Sequence, residues 1–175
     1  MSEKFNNVAP YLKHNWRNLY RAAYIWTHDI ELATKLTQTT ITHCLKNRQR
    51  FTSHQQLKIY IFKFMSDLCK KHLQKSSLKT HKFEQQHTQK NKTELYRSPL
   101  ISNIKDSFIA LKLEHREVLT LAIYENMNYK NISQVLDVPI GTVISRISQA
   151  RSKLINLMQN GHLKITPNSN VWPIK

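Results

Sequence analysis

The sequence predicts an all-α fold of two small helical domains joined by a flexible linker, and three observations lead there. The 175-residue chain is 40% hydrophobic, enough for a core, yet it has only two glycines and five prolines, too few for the turns of an all-β chain. Apolar residues recur at helical spacing in two long stretches. A polar stretch with no periodicity separates them.

The first stretch, residues 8–75, holds three amphipathic blocks. Trp16 to Trp26 offers Leu19, Ala22, Ala23, Ile25 and Trp26 as core. Ala33, Leu36, Thr40 and Cys44, with Ile41 and Leu45 beside them, follow i, i+3, i+7, i+11 spacing, and Leu57, Tyr60, Ile61, Phe64 and Leu68 form the third stripe. Residues 76–100 are rich in Lys, Gln, His and Thr and offer too little apolar surface to offset the entropy of ordering, which predicts a linker.

Periodicity resumes in residues 101–160 with Ile104, Phe108 and Leu111, then Val118, Leu119, Leu121 and Ala122, and breaks at Glu125 to Asn128. A short helix from Tyr129 to Leu136 with Asn128 as N-cap, a turn over residues 137–141 and a last helix over residues 142–158 make a helix-turn-helix. Gly161 suits the helix C-cap, and residues 161–175 form a polar tail with no assignment.

Twenty-seven Lys and Arg against 11 Asp and Glu give a net charge of +16, which implies a polyanionic partner. The excess is concentrated in the first half: residues 1–75 carry 13 basic and 4 acidic groups, residues 101–160 carry 7 and 5. The N-terminal residues lack the apolar core of a secretion signal and the apolar runs are a handful of residues long, so no membrane span and a cytoplasmic location are expected. Cys44 and Cys69 fall on apolar stripes and read as buried thiols in a reducing compartment. Cys69 with His72, and His43 beside Cys44, have ligand-like spacing, but nine scattered histidines make such pairs commonplace, so neither metal nor cofactor is expected. A Gly-rich phosphate loop and a strong metal-ligand cluster are both missing from the sequence. Catalysis by the chain itself is therefore not expected.

On the last helix Val143, Ile147, Ala150 and Leu154 share an inner stripe, which leaves Ser145, Ser148, Gln149 and Ser152 outward. Small polar and amide side chains on such a face can reach base edges in a major groove, while Arg146, Arg151 and Lys153 flank it for phosphates and Ile144 can touch a thymine methyl. The same pattern also describes an ordinary solvated helix face. The order of residues favours the DNA-reading alternative.

Leu113-Glu-His-Arg-Glu-Val-Leu119, Tyr129-Lys-Asn-Ile-Ser-Gln-Val-Leu136, Val138-Pro-Ile-Gly-Thr-Val-Ile-Ser-Arg146 and Ala150-Arg-Ser-Lys-Leu154 together resemble region 4 of extracytoplasmic-function sigma factors of the sigma-70 family. That resemblance implies minus-35 promoter binding through Lys130, Thr142, Ile144, Ser145, Arg146, Ser148, Gln149, Arg151, Ser152 and Lys153. Ile144 stands where a basic residue is common, which implies an unusual promoter sequence. Residues 8–75 are similar to region 2. There Leu36, Gln38, Thr40 and Ile41 are implied to dock on core RNA polymerase, and Lys63, Ser66, Asp67, Lys70 and Lys71 to meet the minus-10 element. Thr34, Lys35 and Thr39 replace acids common in the family, and Asp67 replaces an Asn.

The resemblance implies an alternative sigma factor whose partners are core RNA polymerase and promoter DNA, with an anti-sigma factor as a further candidate. Two other readings compete with it. A sigma-like adaptor would bind polymerase or an anti-sigma protein without initiating, and a response-regulator-type transcription factor would need a βα receiver domain that residues 1–75 do not suggest.

Overall fold

The computed structural model describes residues 8–48, 51–80 and 107–160, with side chains to residue 75 in the second stretch and 158 in the third; its regular elements are all helical. The N-terminal domain consists of α1 (Val8–Thr27), α2 (Ile30–Lys46) and α3 (His54–Thr80). The C-terminal domain has α4 (Leu113–Leu119), which continues into a π-helical turn (Thr120–Tyr124), then α5 (Tyr129–Leu136) and α6 (Ile140–Asn160).

Helix α1 buries Leu19, Ala22, Ala23 and Trp26 as the first stripe predicts, with Ile25 half-buried, and Val8 and Leu12 before that stripe are buried as well. His28 in a left-handed conformation (φ 56°) turns the chain, and Asp29 caps α2 by accepting from the Leu32 amide at 2.9 Å. On α2 the buried side chains are Ala33, Leu36, Thr37, Thr40 and Cys44. Two of these are polar, but the Thr37 and Thr40 hydroxyls donate to the Ala33 and Leu36 carbonyls at 2.7 Å, so neither is buried without a partner.

Helix α3 departs from its expected stripe. Leu57 and Ile61 are buried as predicted, but Phe62, Met65, Ser66 and Cys69 are buried too, while Tyr60, Phe64 and Leu68 are only partly so. The reason is tertiary: α1 and α2 cover one side of α3, and α5 packs against another. The helix also continues to Thr80, past the domain boundary expected at residue 75. The remainder of the expected linker, residues 81–100, lies outside the described residues, as does the tail, residues 161–175, with Gly161.

In the C-terminal part Val118, Leu119, Leu121, Ile132, Val135, Leu136, Val143, Ile147, Ala150 and Leu154 are buried and join the same hydrophobic cluster as the α1–α3 core. The Asn128 side chain caps α5 by accepting from the Asn131 amide at 2.8 Å. Asp137 ends α5 in the left-handed region (φ 56°), and the Ser133 hydroxyl donates to the Val138 carbonyl at 2.6 Å, closing a tight turn into α6. Helix α6 starts at Ile140, two residues earlier than expected. The Pro139 carbonyl already accepts from the Thr142 and Val143 amides at 2.9 and 3.1 Å, and a proline at a helix entrance has no amide to leave unpaired.

The domains pack on each other, α3 against α5 and α1 against α4 and the π-helical turn. Arg116 ties the junction: Nη2 donates to the Trp26 carbonyl at 2.8 Å, and Nη1 donates to the Ile109 and Leu111 carbonyls at 3.1 Å.

Candidate nucleic-acid interfaces

The outward face of α6 is open. Ile144, Ser145, Ser148, Gln149, Ser152 and Lys153 are exposed on it, Lys130 is exposed on α5, and Thr142, Arg146 and Arg151 are half-buried at its margin. Its inner stripe of Val143, Ile147, Ala150 and Leu154 is buried as expected, which fixes the helix on α4 and α5. Not one of the 21 residues of α6 is acidic.

Two α6 side chains meet α4. Arg146 Nη2 lies 3.3 Å from Glu114 Oε2, so its guanidinium is already paired at the edge of the face. Gln149 stands beside His115, which is 2% exposed; burial foremost, with Lys153 nearby, lowers the His115 pKa and favours the neutral ring. Sequence reasoning missed both supports. Glu114 and His115 stand more than 30 residues before their partners, a distance that helical periodicity cannot bridge.

The face of α3 is covered instead. Lys63 Nζ lies 3.7 Å from Asp137 Oδ2, and Lys70 Nζ lies 3.7 Å from Glu117 Oε1. The Ser66 hydroxyl donates to Glu117 Oε1 at 2.5 Å, and both of these residues are buried. One turn before Ile61, Lys58 reaches the Glu125 carboxylate at 3.1 Å and the Glu125 carbonyl at 2.6 Å. Of the residues expected to meet a minus-10 element, Asp67 and Lys71 are exposed, Lys63 and Lys70 are half-buried in ion pairs, and Ser66 is fully enclosed. The expectation that Ser66 touches DNA therefore fails for this arrangement, because Glu117 occupies its hydroxyl.

All four described carboxylates of the C-terminal domain are in ion pairs, and three of the four reach α3 lysines. Burial raises the Glu117 and Glu125 pKa values above the usual carboxylate range, against the opposing pull of Lys70 and Lys58.

On α2 the expected docking residues divide. Leu36 and Thr40 are 1% and 0% exposed and belong to the core, which removes them as contacts for a partner. Gln38 is exposed and Ile41 half-exposed, and the open side of the helix is completed by Lys35, Thr39, Thr42, Leu45 and Lys46. The helical period explains the correction: the stripe that makes α2 amphipathic is the stripe it buries.

Cys44 and Cys69 are buried free thiols whose pKa values burial pushes up to about 12, which leaves them protonated and poor ligands. Among the described residues no three His, Cys, Asp or Glu side chains gather as a metal site would need. No helix among them is long and apolar enough to cross a membrane.

The family described as sigma-70, region 4 matches residues 107–154, the whole of α4, the π-helical turn and α5 and most of α6. Over residues 107–154 the chain is thus similar to sigma-70 region 4. In the matching segment α6 follows α5 and bears the open polar face described above. The fold is also similar to that of solved proteins, a sigma factor among them. The sigma factor RpoE, in complex with the anti-sigma factor NepR from Bartonella quintana, matches at a TM-score of 0.71 and 18% identity, over 86% of this chain and 96% of that one. CnrH, in complex with the cytosolic domain of CnrY, matches at 0.57 and 17%, over 87% and 88%. These likenesses extend the sigma-factor fold from region 4 to α1, α2 and α3.

Proposed function

We propose that this protein is an alternative sigma factor of the extracytoplasmic-function type, which binds core RNA polymerase and directs it to particular promoters. The observation that carries this reading is region 4 itself: an acid-free α6 presents amide and hydroxyl side chains outward, with cations at the margins. In this role α6 reads the minus-35 duplex through Ser145, Ser148 and Gln149, while Lys130, Arg151 and Lys153 set register on phosphates. The N-terminal domain docks on polymerase through the open side of α2, Gln38 and Ile41 included. It meets the minus-10 strand through the cations of α3. The protein acts in the cytoplasm, uses no cofactor and leaves catalysis to the polymerase.

The covered α3 face gives this function a resting state. With Lys63 and Lys70 paired to Asp137 and Glu117, the minus-10 strand has no access until the two domains part. RpoE is complexed with an anti-sigma factor, and by that likeness a protein of this class is the natural regulator of the transition.

In vitro transcription with core enzyme tests the reading. Run-off products should start at discrete sites on a promoter library when the protein is added. Stable binding to core with no transcripts would make it an adaptor, and sequence-specific DNA binding without any affinity for core would make it a free-standing transcription factor.

A further inference from the structure

Two large apolar side chains stand on the outward face of α6 where the rest of that face is polar. Ile140 is 45% exposed and Ile144 is 50% exposed. They are four residues apart and therefore share one side of the helix, about 6 Å apart along its axis. Between them, Gly141 is bare: beyond its chain neighbours and its own helix backbone, no atom lies within 4 Å of where its Cβ would be. The first turn of α6 is thus an unobstructed edge bearing two isoleucines, followed by the exposed Ser145, Ser148 and Gln149.

Exposed isoleucines need an occupant, and charge selects it. Helix α6 has no carboxylate, its own cations are Arg146, Arg151 and Lys153, and Lys130 lies exposed one helix away. A polyanion matches these surroundings. In the major groove of DNA the thymine 5-methyl is the apolar group that base edges present to a side chain.

We propose that Ile140 and Ile144 form an apolar pair that reads two thymine methyl groups in the minus-35 element. This inference rests on the reading of α6 as the duplex-reading helix and adds the sequence class it selects. Base pairs rise about 3.4 Å each, so residues about 6 Å apart reach methyls within about two base-pair steps. The selected element should carry two thymines at that spacing, beside the bases that Ser148 and Gln149 contact. Burial of one methyl is worth about fourfold in affinity, so the pair should contribute on the order of tenfold to twentyfold.

The test removes methyls and nothing else. A duplex is first selected from a randomised library with the full-length protein, and each thymine is then replaced singly by deoxyuridine. Two replacements within about two steps should each weaken binding about threefold to fivefold. Ile144→Ala should become indifferent to one of them and Ile140→Ala to the other, while Gln149→Ala should keep both differences although it binds less tightly overall. Equal affinity of the wild type for every thymine and deoxyuridine duplex overturns the inference, leaves region 4 as a duplex reader, and points to a protein surface as the occupant of the pair. A library that yields no preferred duplex overturns the duplex-reading assignment of α6 together with it.

Discussion

Helices α3 and α6 carry the same kind of surface in sequence, a helix with cations beside its polar side, and the fold treats them oppositely. Around α6 the C-terminal domain supplies one carboxylate, Glu114, and it sits at the margin on Arg146. Along α3 it supplies three, Glu125, Asp137 and Glu117, spaced to meet Lys58, Lys63 and Lys70. The C-terminal domain thus lays its acids on the lysines of α3. The polar face of α6 is open in this arrangement, and the cationic face of α3 is covered. Basic composition alone therefore does not mark an available site.

The comparison breaks most sharply at Glu117. Replacing it by Lys sets a cation in a buried position beside Lys70 and near Arg146, so Glu117→Lys should destabilise the closed arrangement by about 3 kcal/mol or more. Energy transfer between dyes on Thr39→Cys and Asn156→Cys, both exposed positions, should fall, and affinity for a single-stranded oligonucleotide should rise at least tenfold. No change in either would mean that apolar packing alone holds the domains together.

On the open face, Gln149→Ala should cost about 1 to 3 kcal/mol, mainly on the preferred duplex, as measured by fluorescence anisotropy. Arg146→Ala should weaken binding to all duplexes alike and, because Arg146 also pairs with Glu114, lower the melting temperature slightly. Equal losses on every sequence for both variants would contradict the distinction drawn between the centre and margin of α6.

A smaller effect is expected from pH. Burial raises the Glu117 and Glu125 pKa values, so their protonated forms favour the closed arrangement over an open one in which both carboxyls are hydrated. This contribution is fully present below the usual carboxylate pKa and is lost as pH rises through the raised values. The energy-transfer signal should therefore decline from acidic toward neutral pH. Glu117→Gln, which can still hydrogen-bond Ser66, should flatten that decline and leave the neutral-pH closed state as stable or more so. A closed state that strengthens with rising pH would show that the ion pairs outweigh the cost of burial.

The smallest effect belongs to Asp137, whose side chain is 86% exposed. Asparagine tolerates the left-handed conformation at this position, so Asp137→Asn removes the charge without backbone strain and should alter closure by less than about 1 kcal/mol. That difference should vanish at 0.5 M salt, as seen in a titration of the same energy-transfer signal.

The sequence by itself determined the local and periodic features. The α5 limits, its Asn128 cap, the buried stripe of α6 and the core of α1 follow from side-chain spacing and turn chemistry, which act over a few residues. The outward side of α6 was legible for the same reason: Ser145, Ser148, Gln149 and Ser152 lie on one helix and are exposed as its period predicts. Only the tertiary structure decided that Leu36 and Thr40 are interior, since the same stripe can face a core or a partner. It also decided that Phe62 is enclosed edge-on against Trp26 of α1 and that Ser66 is enclosed by Glu117, which comes from beyond residue 106. The Lys70–Glu117 pair joins positions 47 residues apart, Lys58–Glu125 joins positions 67 apart, and Lys63–Asp137 joins positions 74 apart. Helical periodicity relates neighbours within a few turns, whereas these contacts depend on how two separate hydrophobic faces meet, and that is settled only when the domains pack.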